Sequence, residues 1–306
     1  MSQTLIPPRE RLFGLLVRPR LRRGGRVAVG VTAVLLGLLV LAVLLAPVLS
    51  GYDPTATSPA KLLGPSAGHL LGTDQLGRDV FSRTLYGGRT SLESAVVAVL
   101  MATLAGLLLG LVAGYAPRLV SGLIMRFMDI ILGFPALLLA LLVLATVGAG
   151  LLPEAIAISI SFVPIFTRVV YSSSLSIREE GYVTAARVAG VTPWTIVSRH
   201  IAPAVRTEVL VIMTSAFGWA ILLDSTLSFL GLGQQPPTPN WGADLSNGQS
   251  YLVDGWWISV APGVAITVAV LLVNLLGDQL ATRTGVGAAA PASVTVATTG
   301  PATEAA

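Results

Sequence analysis

In a chain of 306 residues, hydrophobic side chains make up 54% and charged ones only 11%, far from the roughly 25% charged that soluble domains carry. With a mean hydropathy of +0.80 this is the composition of a membrane protein, and the lack of any Cys excludes disulfides, thiolate chemistry and Cys-based metal sites. The formal net charge of +4 reports on membrane orientation more than on a nucleic-acid partner, because its meaning lies in where the Arg residues fall.

Residues 1–26 hold seven Arg against one Glu and read as a basic cytoplasmic tail. Val27 to Leu49 carries no charge and is long enough to cross a hydrocarbon core of about 30 Å. It exceeds the roughly 7 to 15 apolar residues of a cleavable signal, so a retained first span is expected. Ser50 to Thr90 is polar and rich in Gly and Pro. There Gly72 and Gly77 permit tight turns beside Thr73, and Asp74, Arg78 and Asp79 can clamp one another. That chemistry suits a surface loop held by its own ion pairs better than one that touches a solute.

A second span is expected over 94–116. Ala98, Ala102, Gly106, Gly110 and Gly114 recur every fourth residue and form a smooth ridge on which another helix can pack closely. After a loop at Pro117 to Gly122, Arg126 and Asp129 stand one turn apart and can pair. A third span follows over 130–147, kinked by Pro135, and a fourth over 151–170, interrupted by Pro164 and flanked by Glu154 and Arg168.

The polar stretch Ser176 to Pro203, inside a loop of 172–206, predicts a helix, a turn and a second helix. Ser176 with Glu179 has the spacing of a capping box. Gly190 offers a left-handed stop, and Thr192 with Pro193 reads as the cap and first position of the next helix. Ala185, Ala186 and Ala189 give the first helix a face of little bulk, open to close approach by another protein. The fifth span is expected over 207–230 and contains Asp224, a carboxylate in an apolar setting that is either functional or a structural group near the outer interface. Trp256 and Trp257 open the sixth, over 256–277. The fold expected is therefore all-α with six transmembrane helices in a membrane domain of 27–280, followed by a disordered cytoplasmic tail of 281–306.

Orientation can be tested by charge alone. With the first tail inside, fifteen of the nineteen Arg and Lys residues fall on the cytoplasmic side, and only Lys61, Arg78, Arg83 and Arg89 fall outside. The positive-inside rule is obeyed, and both termini and the loop around Gly190 are placed in the cytosol.

The spacing of Ala185, Ala186, Gly190 and Pro203 resembles the "EAA" signature of ABC importer permeases. The fuller pattern, with Glu180, Tyr182, Val183, Arg187, Arg199 and His200, is similar to the dipeptide, oligopeptide and nickel subfamily, specifically the C-type subunit of its permease pair. Leu71-Gly72-Thr73-Asp74 with Gly77-Arg78-Asp79, Leu227-Ser228-Phe229-Leu230-Gly231-Leu232-Gly233 and Pro236-Pro237 with Trp241-Gly242 look like further hallmarks, so that the resemblance covers about 27–279. Thr184, Ala202 and Ala204 depart from the usual residues, as does the chain beyond Gln279.

That resemblance implies a type I ABC importer permease fold whose coupling helix pair docks on separate ATPase subunits. It further implies a bacterial plasma-membrane assembly with a homologous second permease, two ATPases or one fused ATPase, an extracytoplasmic solute-binding protein and surrounding lipid. The solute implied is a peptide, with nickel or another small solute as the alternative. An ion-coupled secondary transporter would want more intramembrane acids than Asp224. The only lysine, Lys61, is followed by Leu62, so the chain has no Gly-x-x-x-x-Gly-Lys loop, and ATP and Mg are expected on the partners. His69 and His200 fall on opposite sides, so neither a two-His metal site nor a Ser-His-Asp set is expected, and the loop's few bases and membrane flanks argue against a DNA-reading role.

Overall fold

The computed structural model describes residues 24–284. Their regular structure is helical, apart from one isolated bridge between Thr73 and Asp79. The elements are α1 (Gly24–Leu44), α2 (Ala46–Leu49), α3 (Val80–Tyr115), α4 (Arg118–Leu132), α5 (Ala136–Val147), α6 (Leu151–Arg178), α7 (Gly181–Val188), α8 (Pro193–Ile196), α9 (Ala202–Phe229), α10 (Trp241–Gly248) and α11 (Trp257–Thr284). Five helices are long and apolar enough to cross a membrane, and α4 with α5, bent by 93° at their junction, make a sixth broken span. Residues 1–23 of the basic tail and 285–306 of the C-terminal tail lie outside the described residues.

The centre of the bundle is the packing of α3 on α6. A Cβ added at Gly106 would collide with Phe166, one at Gly114 with Ser174, and one at Gly110 would come within 2.6 Å of Val170 Cβ. The small ridge thus lets two helix backbones meet with no side chain between them, and Ala98 and Ala102 continue it as fully buried residues. The helices α9 and α11 pack together beside this pair, and α1 lies against α11 with much of its apolar surface facing outward. Exposed Leu and Val along α1, α3 and α5 are what lipid or a partner helix would cover.

Several boundaries differ from expectation. α3 begins at Val80 and not near Ser94, because Asp79 caps it by accepting from Ser82 N at 2.7 Å. Gly87 and Gly88 are helical and leave room for α10: a Cβ on Gly88 would sit 2.7 Å from Trp241 Cζ2. The loop expected at 117–122 is the first turn of α4. Pro135 does more than kink a span, since with Gly133 and Phe134 it separates two helices nearly at right angles. Asp129 pairs not with Arg126 but with Arg168 of α6, at 2.6 Å.

No helix starts at Ser176: α6 runs unbroken through Pro164 as far as Arg178, so the capping box does not form. Nothing before Ser176 stops the chain, and a cap signal has effect only where a helix has to begin. At the other end of the loop α8, a π-helical turn (Val197–Ile201) and α9 form one continuous helix of 37 residues, Pro193–Phe229, which starts well before Thr207. The wide turn follows from Pro203. Its ring would clash with the Arg199 carbonyl in a regular helix, and Ala202 N instead donates five residues back to Val197 O. α11 likewise continues past Gly277 and Asp278 to Thr284.

The ridge makes a quantitative demand. Gly110→Ala should destabilise the protein by about 3 kcal/mol through overpacking, whereas Gly37→Ala on α1, where a Cβ would meet nothing within 4 Å, should be neutral. Thermal unfolding in detergent followed by size-exclusion chromatography reads the difference.

Candidate functional site

Two regions concentrate the polar chemistry, one at each end of the bundle. At one end α7 stands out between α6 and α8. Glu180 is its N-cap position, in extended backbone, and its C-terminus closes at Ala189 and Gly190, where φ is +78°. Val191 N then bonds Ala186 O at 3.1 Å, and the chain turns into Thr192, whose hydroxyl accepts from Thr195 N to cap α8.

The side chains of this loop divide by direction. Val183 is fully buried and, with Ile196 and Ile201, roots the loop in the apolar core. Tyr182, Val188 at 86% exposure and Trp194 at 78% point outward. Ala185, Arg187, Gly190, Arg199 and Pro203 are exposed and Ala186 is half-buried, so α7 presents a low surface with large residues at its edges. His200 is half-buried, with its ring 6.2 Å from that of Tyr182. On one side lies an apolar groove of about 480 Å³ between Leu108, Leu111, Val112 and Tyr115 of α3 and Pro193, Trp194 and Val197. On the other is a polar recess of about 550 Å³ lined by Tyr115, Arg178, Glu179, Thr184 and Arg187.

At the opposite end the segment from Ser50 to Asp79 folds over the bundle as a clasp. Gly72 and Gly77 both take φ +75°, and at Gly72 a Cβ would stand 2.5 Å from Leu63 O. The Thr73 hydroxyl donates to Ala60 O at 2.6 Å and accepts from Leu63 N at 2.9 Å. Asp74 accepts from Leu76 N and Arg78 N with one oxygen and pairs with Arg78 Nε at 2.5 Å with the other. Asp79 does not join that pair: its second oxygen meets His69 Nδ1 at 2.8 Å.

This segment is more than a surface loop closed on itself, since Thr73, Asp74, Arg78 and Asp79 are all buried. Arg83 of α3 ion-pairs with Asp244 of α10 and donates to Pro54 O at 2.9 Å. Burial pushes the Asp244 carboxyl up, while the Arg83 guanidinium beside it pulls the other way. Trp241, also buried, donates from Nε1 to Thr84 O at 2.7 Å, and Trp257 Nε1 donates to Thr73 O at 3.0 Å. Sequence reasoning had no means of joining Arg83 to Asp244, which are 161 residues apart.

Asp224 is fully buried, which removes the solvated setting considered for it. Glu154, read only as a flank of the fourth span, is equally buried and faces it from α6. Among the described residues no group of three or more His, Cys, Asp or Glu side chains is arranged to hold a metal ion.

A bundle of apolar spans with a short helix standing out between two of them defines a multi-pass membrane protein. The chain belongs to the family described as the binding-protein-dependent transport system inner membrane component, whose pattern matches residues 106–285. It is the permease subunit of an ABC importer of this kind. It is 40% identical over 267 residues to a putative peptide transport system permease protein of Brucella suis, covering 87% of this chain and 89% of that one. The di/tripeptide transport system permease protein DppC of Pseudomonas aeruginosa is 40% identical over 250 residues, 79% of this chain and 82% of its own. The glutathione transport system permease protein GsiD of Pectobacterium atrosepticum is 42% identical over 217 residues, 71% and 72% of the two chains.

Breaking the buried ion pair between Arg83 and Asp244 should be costly. Arg83→Ala leaves the Asp244 carboxylate buried without its partner, and a loss of about 3 to 5 kcal/mol is expected. Unfolding temperature in detergent measures it, with Arg89→Ala, on the exposed face of α3, as the neutral control.

Proposed function

We propose that this chain forms half of a translocation pathway for peptides in the bacterial plasma membrane, with both termini in the cytosol, and makes no chemical bond itself. A homologous second permease completes the pathway, two ATPase subunits or one fused ATPase bind ATP and Mg, and an extracytoplasmic solute-binding protein delivers the cargo. The observation that carries this reading is α7, anchored by Val183 alone on its inner face and offering Tyr182, Val188 and Trp194 to a partner. The kinship of the chain to permeases named for peptide, di/tripeptide and glutathione transport supports a peptide cargo.

The coupling residues take distinct roles in this reading. Ala185, Ala186 and Gly190 allow close approach of the ATPase, Glu180, Arg187 and Arg199 offer it charges, and Tyr182 and His200 brace the gap between α7 and the start of the long helix. Val183 transfers the motion inward. Pro203 keeps the wide turn below it. When ATP closes the ATPase dimer, α7 and α8 are displaced together, α6 and α9 tilt, and the outer mouth opens. Hydrolysis returns the inward-facing state, each state being favoured in turn by a ligand that binds it better. Gly72, Thr73, Asp74, Gly77, Arg78 and Asp79 shape the clasp that faces the binding protein.

Two measurements test this. A Cβ at Gly190 meets no neighbour within 4 Å, but a branched residue there strains a left-handed backbone by roughly 1–2 kcal/mol. Gly190→Val should therefore leave assembly intact and uncouple the cycle, so that ATP hydrolysis in proteoliposomes continues while uptake of radiolabelled dialanine falls about tenfold; unchanged uptake refutes the coupling role, and uptake of nickel in place of dialanine refutes the peptide cargo. Because the chain has no Cys, a Trp194→Cys variant can be labelled cleanly. A membrane-impermeant maleimide should reach it in inside-out vesicles and not in intact cells.

A further inference from the structure

At the extracytoplasmic ends of α6 and α9 two carboxyl groups, Glu154 and Asp224, face each other with no exposure to solvent. Among the described residues neither is ion-paired to a basic side chain. Their surroundings are a shell of small polar groups. Ser228 donates to Glu154 Oε1 at 3.1 Å, and Ser91, Ser94 and Asn240 crowd the Asp224 carboxyl. Both Asp224 oxygens and Glu154 Oε2 nonetheless lack a hydrogen bond of ordinary geometry, as does the Ser94 hydroxyl. Gly233 closes the site from outside, where a Cβ would lie 2.8 Å from Glu154 Oε1.

Two ionised carboxylates cannot share such a place without a compensating positive charge. Asn240 distinguishes a proton from a metal cation. Its Oδ1 caps α10, accepting from Gly242 N at 2.8 Å and Ala243 N at 3.3 Å, which leaves the donor Nδ2 buried and turned toward Asp224. A donor in that position favours a carboxylate and repels a cation.

The other ionisable groups on the neighbouring helices are engaged or distant. On α3, Arg89 and Glu93 are exposed; on α10, Asp244 is paired with Arg83. Asp129 of α4 pairs with Arg168, Glu208 of α9 meets Ser173, α5 carries no charge, and Asp278 and Arg283 lie at the far end of α11.

We propose that Glu154 and Asp224 hold one proton between them, and that this hydrogen bond pins the outer ends of the two helices whose cytoplasmic ends are joined by the coupling loop. A pair with one proton carries one negative charge, which the donors of Ser91, Ser94, Ser228 and Asn240 solvate. The pin keeps the outer ends of α6 and α9 together, so that the two helices move as a unit when their inner ends are displaced.

The test uses the assembled importer in lipid nanodiscs. Infrared spectra of the wild type should contain a carboxylic acid C=O band that shifts in D2O and that Asp224→Asn and Glu154→Gln each abolish. Each amide should keep dialanine uptake within about twofold of wild type, since it donates the same bond to the surviving carboxylate at unchanged net charge. Asp224→Ala and Glu154→Ala, which leave the partner acid buried alone, should reduce uptake about tenfold or more. The infrared band is read whatever solute is carried. The proposal is overturned if no such band separates wild type from the amides, if both amides assemble or transport as poorly as the alanines, or if the band appears only when sodium is removed.

Discussion

The meeting of α3 and α6 backbone to backbone is the contact on which the rest of the molecule is built. In lipid there is no hydrophobic force to drive two apolar helices together, so close van der Waals approach has to supply the association. Gly106, Gly110 and Gly114 make that approach possible, each opposite a different turn of α6. Because α6 is the helix that leads into the loop, its fixed seat on α3 sets where α7 emerges. α9 then packs against both α3 and α6. The loop is therefore rooted at both ends in tightly seated helices and not in a loosely held strand of chain.

The two ends of the bundle are built by different physics. The end that carries α7 is open, with a short helix held by one buried valine and flanked by two recesses. The opposite end is sealed by buried ion pairs, capped turns and two indole donors that reach backbone carbonyls. Polar groups so enclosed are directional and lose heavily when a partner is removed. One end is thus suited to changing partners and the other to keeping its shape.

Much of this was legible in the sequence because the signals were local or periodic. The four-residue spacing of the ridge, the left-handed Gly190, the Thr192-Pro193 start and the apolar spans each follow from side-chain chemistry over a few residues. What could not be read depended on distant partners. The reason for glycine at 87 and 88 is Trp241, which needs the space they leave and lies some 150 residues on. Ser176 and Glu179 had the spacing of a cap, but the apolar run before them carried the helix past both. Arg126 was offered a neighbour one turn away, and Asp129 instead chose Arg168 across the bend of the broken span. Glu154 sits at the beginning of an apolar span and gave no sign that α9 would bring a second acid to meet it.

The union of α8, the π-helical turn and α9 has a mechanical consequence. A continuous rod of 37 residues is about 55 Å long, so a tilt of about 5° displaces its two tips by about 5 Å relative to each other. Trp194 and Asp224 thus ride on one lever, and only because the chain does not break at Pro203.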